Sequence, residues 1–417
     1  IGFIFEVGFY ILNSDIHITK VSTMVLRGED SHGLGGVPRT WHFIVVKIET
    51  NNGLYGYGEC PHWQRGYFGV RETIDYIGER LIGANPFDVK KIVEEHFNGA
   101  RPPHQPRSLP ATILPVGPIV WAMSGIEMAL LDIIGKQSGL PVHSLLGGKF
   151  RDNVPVYLDR SGPVDVSDLD EWRKLTEETI NSGYTKFKFD VDYTAPDFVT
   201  DVWSRSIGRE QMLAIEKRLS VAREVAGESA EISVDCHMHY DLVSSIELSK
   251  VLSSIGINWL EDPVPVMDLI SLSELRKKSN VPICAGEMYT FDLAKLAIKT
   301  KAVDILHPDV LFAGGLHETR KICELANSNG LPVAFHNNST ALGFIATAHL
   351  ASSVPNIIAS EYHFYDADWS KKWINRSNNL PLMDDGFIEL DDSPGLGCEL
   401  NEEVCSELLA PGEKYIG

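Results

Sequence analysis

The run VPVYLD (154–159) is followed by TKFKFD (185–190), EISVDCH (231–237), INWLED (257–262), PICAGE (282–287), VDILHPD (303–309), PVAFHN (332–337) and IIASEY (357–362). Each is short and apolar until its last residues, and each is followed by a stretch of helical composition. Strands alternating with helices mean parallel β–α units. Eight such units in one series predict an α/β chain closed into a barrel. The link between the second and third runs contains DYTAPDFVTDVWSRSIG and is longer than a helix requires, which predicts an extra loop above the barrel's C-terminal face.

The texture differs on either side of this series. Residues 15–60 alternate apolar and polar, and HFIVVKIET–NNG–LYGYGE reads as strand, turn, strand. Residues 70–147 read as helical, with Met123, Ile126, Leu130 and Ile133 at helical spacing. The proline-rich RPPHQPRSLP among them is a loop. The closing MDDGFIELDDSPGLGCEL is turn-rich and is expected to pack on the N-terminal part. The predicted organisation is an α+β capping domain of residues 1–150, completed by 375–417, and a barrel of 151–374.

The 417 residues are 44% hydrophobic and 23% charged, the balance of an ordered globular chain. Lysine and arginine number 37 against 57 acidic residues, for a net charge of −20. So acidic a chain is a poor partner for nucleic acid or an anionic membrane, and neither is expected. The six cysteines are scattered without zinc-type spacing, which predicts free thiols in the cytoplasm. The apolar opening IGFIFEVGFYIL is short, interrupted by Glu6 and without a basic leader, so it reads as neither signal nor span.

Chemistry is predicted where the strands end. Asp159 and Arg160, Lys188 and Asp190, Asp235 and His237, Glu261, Glu287, Asp309, His336 and Glu361 all close a strand. Barrel active sites are assembled from these positions. Asp235, Glu261 and Glu287 recur 26 residues apart. Three neighbouring carboxylates repel unless compensated, and oxygen-only donors favour Mg²⁺. In KFKFD, period two places Lys186, Lys188 and Asp190 on the barrel's inner face and the phenylalanines outside. Lys186 lies deeper and has no assigned role. Asp309 and His336 end consecutive strands, and a carboxylate beside an imidazole suits a general base. His237 shares a face with Asp235 and could serve as an acid. His239 stays open between a substrate contact and a loop residue.

Several signals fail. GLGG (33–36) does not join a strand to a helix, so no dinucleotide cofactor is expected. Walker and GxSxG motifs are missing. The sequon NNST (337–340) falls at a predicted strand end and is read as accidental.

GLYGYGE (53–59), SGIEMALLDIIGKQSGLPVHSLLGG (124–148), LEDP (260–263), AGE (285–287), HPDVLFAGGL (307–316) and DSPGLG (392–397) together resemble the mandelate racemase subgroup of the enolase superfamily. The match runs from about residue 17 to the C-terminus. The resemblance implies a modified TIM barrel, (β/α)7β, under an α+β cap built from both chain ends, in a homo-oligomer. It implies Mg²⁺-assisted removal of a proton α to a carboxylate. Asp235, Glu261 and Glu287 match the metal ligands, Asp309 and His336 the His–Asp dyad, and Glu361 the acid of the last strand.

The second strand departs from the subgroup's KxK pattern. Lys188 matches the first lysine, but Asp190 stands where the second would be, as a base or as a substrate contact. The Asp-x-His of 235–237 is similar to the galactonate dehydratase type. The implied reaction is dehydration of an acid sugar to a 2-keto-3-deoxy acid. In it His336 is the base, Lys188 stabilises the enediolate, His237 protonates the leaving hydroxyl, and a protonated Glu361 meets the substrate carboxylate. The alternative is an epimerase or racemase acting through the same enediolate. Arg160 and the cap residues His32, Arg39, His62 and Trp63 are candidate substrate contacts.

Overall fold

The computed structural model describes residues 16–30, 39–61, 67–97, 117–193, 203–363 and 365–417. In the cap, the predicted hairpin gains a strand. β1 (Ile18–Asp30), β2 (Arg39–Thr50) and β3 (Tyr55–Cys60) form one antiparallel sheet in that order. Helices α1 (Tyr67–Leu81), α2 (Val89–Phe97) and α3 (Pro118–Ser138) cover one face. Ile44, Val46 and Ile48 of β2 meet Ile74, Ile77, Met123, Ile126, Leu130 and Ile133 there, all buried. A side chain on Gly58 or Gly56 would strike the backbone of Gly125 or Ala129, so the GYG of β3 lets α3 lie directly on the sheet. α3 is long and apolar enough to cross a membrane, but 78% of its most apolar window is buried, so it is a core helix.

The barrel strands are β4 (Asn153–Asp159), β5 (Lys186–Asp190), β6 (Glu231–Asp235), β7 (Leu260–Glu261), β8 (Ile283–Ala285), β9 (Ile305–Leu306), β10 (Val333–Phe335) and β11 (Ile357–Tyr362). They pair in parallel in chain order, and β11 pairs back to β4, closing the sheet. Helices connect successive strands, giving the expected (β/α)7β architecture. Phe187 and Phe189 point outward as predicted, and Phe189 packs against Trp172 of the helix Leu169–Asn181 at 4.9 Å between ring centroids. Lys186 lies at the opposite rim, paired with Glu231 of the adjoining strand. The long link after β5 falls partly outside the described residues.

The C-terminal segment touches both bodies. β12 (Ile374–Arg376) pairs with β14 (Cys398–Leu400), whereas β13 (Phe387–Glu389) adds antiparallel to barrel strand β4. Ala410 N–H donates to Val25 of β1 at 2.9 Å.

Buried cap carboxylates join cap to barrel by satisfying amide groups that helix starts leave unpaired. Glu59, the last residue but one of β3, has no exposure. It accepts from Thr340 N–H at 2.8 Å, Thr340 Oγ1 at 2.7 Å and Gly343 N–H at 2.9 Å, at the start of the helix Ala341–Ser352. Glu127 of α3 accepts from Leu316 N–H at 2.7 Å and His317 N–H at 3.0 Å, at the start of the helix Leu316–Ser328. Asp132 of α3 accepts from Tyr57 N–H at 3.1 Å and Leu396 N–H at 2.8 Å, tying the DSPGLG turn to the sheet.

Burial pushes Glu59 up to about 7, against an ordinary 4.5, despite the amides it accepts from. The folded chain therefore holds this proton more tightly than the unfolded chain. Its contribution to stability is complete below about pH 4.5 and is lost as pH rises through 7. The shift corresponds to about 3 kcal/mol. In urea titrations at a series of pH values, wild-type stability relative to Glu59→Gln should fall by that order between pH 4.5 and 7.5. A difference that does not change with pH would show that Glu59 is ionised throughout.

Candidate active site

Tyr157, Trp259, Cys284, Ile305, Ala334 and Ala359 fill the barrel interior. Immediately above this plug the inward side chains become charged. Pairing places Asp159 opposite Lys188, Asp190 opposite Asp235, and Asp235 opposite Glu261, so these side chains gather at neighbouring strand ends. Lys188 is buried among them. Its Nζ lies 2.9 Å from Asp235 Oδ2, 2.6 Å from Glu261 Oε1 and 2.9 Å from Glu361 Oε1. Burial disfavours the ammonium charge, but these three carboxylates outweigh it and hold Lys188 well above its ordinary value.

The predicted dyad forms. His336 Nδ1 is 2.7 Å from Asp309 Oδ2, and Asp309 Oδ1 accepts from Leu311 N–H at 2.6 Å. Asp309 thus fixes the ring and directs Nε2 at the mouth, where it meets Glu287 Oε2 at 3.1 Å. Burial opposes a charged ring, but Glu287, Glu361 and Asp309 prevail and raise His336 to about 9.

His237 follows β6, the strand next to that of Lys188. Left-handed backbone at His237 and Met238 (φ 44° and 60°) turns the chain sharply after β6. The His237 N–H donates to Asp235 Oδ1 at 2.8 Å, and its Nδ1 is 3.1 Å from Asp192 Oδ1. The His237 side chain is half-exposed; crowding by protein atoms opposes its charge, yet Asp235, Asp190 and Asp192 raise it well above the usual imidazole range. Asp190 is buried beside it, and its Oδ1 has no hydrogen-bond partner among the described residues. Burial and the charge of Asp159 push Asp190 well above the carboxylate range.

Burial favours the acid form, but Lys188 and His336 hold Glu361 below its ordinary value. Its Oε2 accepts from Tyr157 OH at 3.0 Å and Asn337 N–H at 3.3 Å. Arg160 is buried at the mouth, paired with Asp366 at 2.9 Å. His32, His62 and Trp63 lie outside the described residues, as does the side chain of Arg39.

Sequence reasoning missed two histidines. His307 Nδ1 is 2.8 Å from the Ala334 carbonyl and its Nε2 is 3.1 Å from Glu261 Oε1. His363 Nδ1 is 2.7 Å from Asp159 Oδ2. Each sits two residues from a chosen strand-end group, Asp309 and Glu361, so period two could have found both.

The donors suit a hard divalent cation. Asp235 and Glu261 already converge on one ammonium, while Glu287, the third predicted ligand, turns to His336. Asp235–Glu261–Glu287 is not among the described donor groups whose atoms all lie within 4.8 Å of one another. Negative charge is nevertheless in excess. Asp262, next to Glu261, is buried with an unpartnered Oδ1 and is pushed well above its ordinary value by burial and by Glu287, Asp235 and Glu261. An all-oxygen, over-charged cluster is what Mg²⁺-type ions neutralise.

A capped (β/α)7β barrel with a buried lysine, clustered carboxylates and an Asp-oriented histidine at its strand ends defines a barrel enzyme. Residues 171–404 match the Enolase C-terminal domain-like family, and residues 35–147 match the mandelate racemase/muconate lactonizing enzyme N-terminal domain. The chain belongs to the mandelate racemase/muconate lactonizing enzyme branch of the enolase superfamily, whose members typically bind a divalent metal. It is 30% identical to a D-xylonate dehydratase of Haloferax volcanii, over 96% of this chain and 90% of that one. It is 27% identical to a D-gluconate/D-galactonate dehydratase of Picrophilus torridus, over 92% of each. A crystal structure of a mandelate racemase/muconate lactonizing enzyme-like protein from Rubrobacter xylanophilus superposes with a TM-score of 0.85 at 32% identity, covering 97% of this chain and all of that one.

Removing Lys188 strips three buried carboxylates of their shared cation. Lys188→Met should lose about 3–5 kcal/mol in EDTA and should regain more of its melting temperature on adding Mg²⁺ than the wild type gains. Equal Mg²⁺ stabilisation of the two proteins in thermal melts would show that ion and ammonium do not share these carboxylates.

Proposed function

We propose that the protein is a Mg²⁺-dependent, cytoplasmic dehydratase of an acid sugar, forming a 2-keto-3-deoxy acid. The observation that carries this is the placing of two histidines at the ends of β6 and β10, four strands apart around the eight-stranded barrel and so across the mouth from one another. His336, oriented by Asp309, faces the mouth from β10, and His237, flanked by Asp192 and Asp235, faces it from the end of β6. A β-elimination needs one group to take the α-proton and another to protonate the leaving hydroxyl. The dehydratase names of the Haloferax and Picrophilus relatives support the same reading. All six cysteines are free and buried, in keeping with a reducing compartment.

An α-proton beside a carboxylate is very weakly acidic, so the site must stabilise the enediolate as it forms. Asp235, Glu261 and Glu287 would hold Mg²⁺, which supplies positive charge beside the substrate carboxylate when bound. With Glu287 so committed, His336 loses its strongest charge partner and moves toward the neutral form a base needs. His336 Nε2 then takes the α-proton. Lys188 donates to an enediolate oxygen. His237 protonates the departing hydroxyl, water leaves, and the enol that remains gives up its hydroxyl proton and gains one at C3 to become the keto acid. Glu361, anchored by Tyr157, keeps the ammonium aimed at the centre. Asp190, kept protonated by its surroundings, donates to a substrate hydroxyl and does not serve as a second base.

The test is turnover of purified protein with Mg²⁺ on a panel of acid sugars, reading 2-keto acid by semicarbazide absorbance. A hit is expected, and His336→Asn should abolish it while Mg²⁺ binding persists. In D₂O, α-proton exchange without any keto acid would favour the epimerase reading. Retained activity in His336→Asn would remove that residue from the base role.

A further inference from the structure

A cavity of about 360 Å³ opens at the side of the mouth between the ends of β4 and β11, lined by Asp159, Arg160, Ser161, Lys174, His363 and Asp366 among others. The reaction derived above uses none of these residues. We infer that this cavity is the subsite for the neutral, hydroxylated end of the substrate that does not react, read by His363 and Arg160. The inference rests on the acid-sugar reading and narrows it.

Four observations carry it. The first is level. Glu361 faces Lys188, and side-chain atoms of Asp159, Glu361 and His363 all lie within 4.8 Å of one another, so His363 stands beside Glu361 at the same rim. The ring meets Trp41 of cap strand β2 edge-on at 5.7 Å between centroids. A substrate whose carboxylate end lies at Lys188 therefore extends its other end past His363.

The second is preorganisation. Asp159 fixes the His363 ring through Nδ1. Asp366 holds Arg160 at 2.9 Å, and Tyr365 lies under the guanidinium at 5.4 Å. Side chains locked by neighbours lose little entropy when they bind.

The third is an unmet donor. The Arg160 side chain is 3% exposed, and neither its Nε nor its Nη1 makes a hydrogen bond among the described residues, the Asp366 contact at Nη1 being an ion pair only. A buried N–H without an acceptor is costly, and a substrate hydroxyl oxygen would satisfy it.

The fourth is charge. Loops at the last strands of other barrels bind phosphate. Here the guanidinium is already paired with Asp366, the imidazole with Asp159, and Glu171 and Glu178 also line the cavity. A phosphate or second carboxylate would meet this acidic wall with no unpaired buried cation to receive it. A polyol end can both donate to the carboxylates and accept from the nitrogens.

The experiment compares initial rates of the Mg²⁺-loaded enzyme on D-xylonate, D-gluconate and D-galactonate, each beside its terminally deoxygenated analogue, with D-glucarate, galactarate and 6-phosphogluconate as charged-end probes. The wild type should favour at least one aldonate over its deoxy analogue by about tenfold or more in kcat/KM and should turn over the charged-end acids more slowly. His363→Asn and Arg160→Lys should each bring the hydroxyl-to-deoxy ratio toward one, mainly through KM. A partly misfolded variant lowers both rates and leaves the ratio intact, so the ratio isolates recognition. Ratios unchanged from wild type in both variants would overturn the subsite alone, as would a preference for the dicarboxylates or the phosphate. A wild type inert on every acid would overturn the dehydratase reading and the subsite with it.

Discussion

The burial of one ammonium among three carboxylates governs the mouth of this barrel. Lys188 can reach Asp235, Glu261 and Glu361 only because β5 alternates, with Phe187 and Phe189 packed outside and Lys188 inside. The apolar plug beneath excludes water, so each interaction is strong and each unpaired charge costly. The neighbouring histidines follow the same constraint. His307 faces Glu261, His336 faces Asp309 and Glu287, and His237 faces Asp192 and Asp235. Even so, Asp190 and Asp262 remain over-charged positions, and this surplus ties the structure to divalent-cation chemistry.

The cap is fixed to the catalytic strands by the same currency of buried carboxylates and backbone amides. Glu59 grips the start of the helix that follows His336, and Glu127 grips the start of Leu316–Ser328, the helix just beyond the single turn Val310–Ala313 that follows Asp309. Both members of the dyad therefore sit on loops whose far ends are held by the cap. These contacts explain why acids in GLYGYGE and SGIEMALLD lie in otherwise apolar sequence. The glycines of β3 serve the same end, since α3 must approach the sheet closely for its acids to reach the barrel.

Membership in the mandelate racemase/muconate lactonizing enzyme branch leaves the reaction to the strand ends, where this chain is individual. The second strand carries Lys188 but then Asp190, buried and partly unpartnered. A protonated acid at that position can donate a hydrogen bond but does not supply the second base that racemisation uses. The His363–Asp159 pair adds an Asp-oriented imidazole on the opposite side of Glu361 from the His336–Asp309 pair, so the last strand stands between two such pairs.

Much of this was legible in the residues. Period two in the strands, period 3.6 in the helices and the alternation of the two determined the barrel, the cap and the inward direction of Lys188, Asp235, Glu261 and Asp309, because these are local properties of the backbone. Only the tertiary structure decided which charges meet. Glu287 turned to His336, Glu361 met the ammonium of Lys188, and Asp159 found His363 from the opposite end of the barrel sequence. Electrostatic partnership depends on distances of a few ångströms between residues up to 204 positions apart. Those distances arise when the last strand closes on the first, which no stretch of sequence encodes by itself.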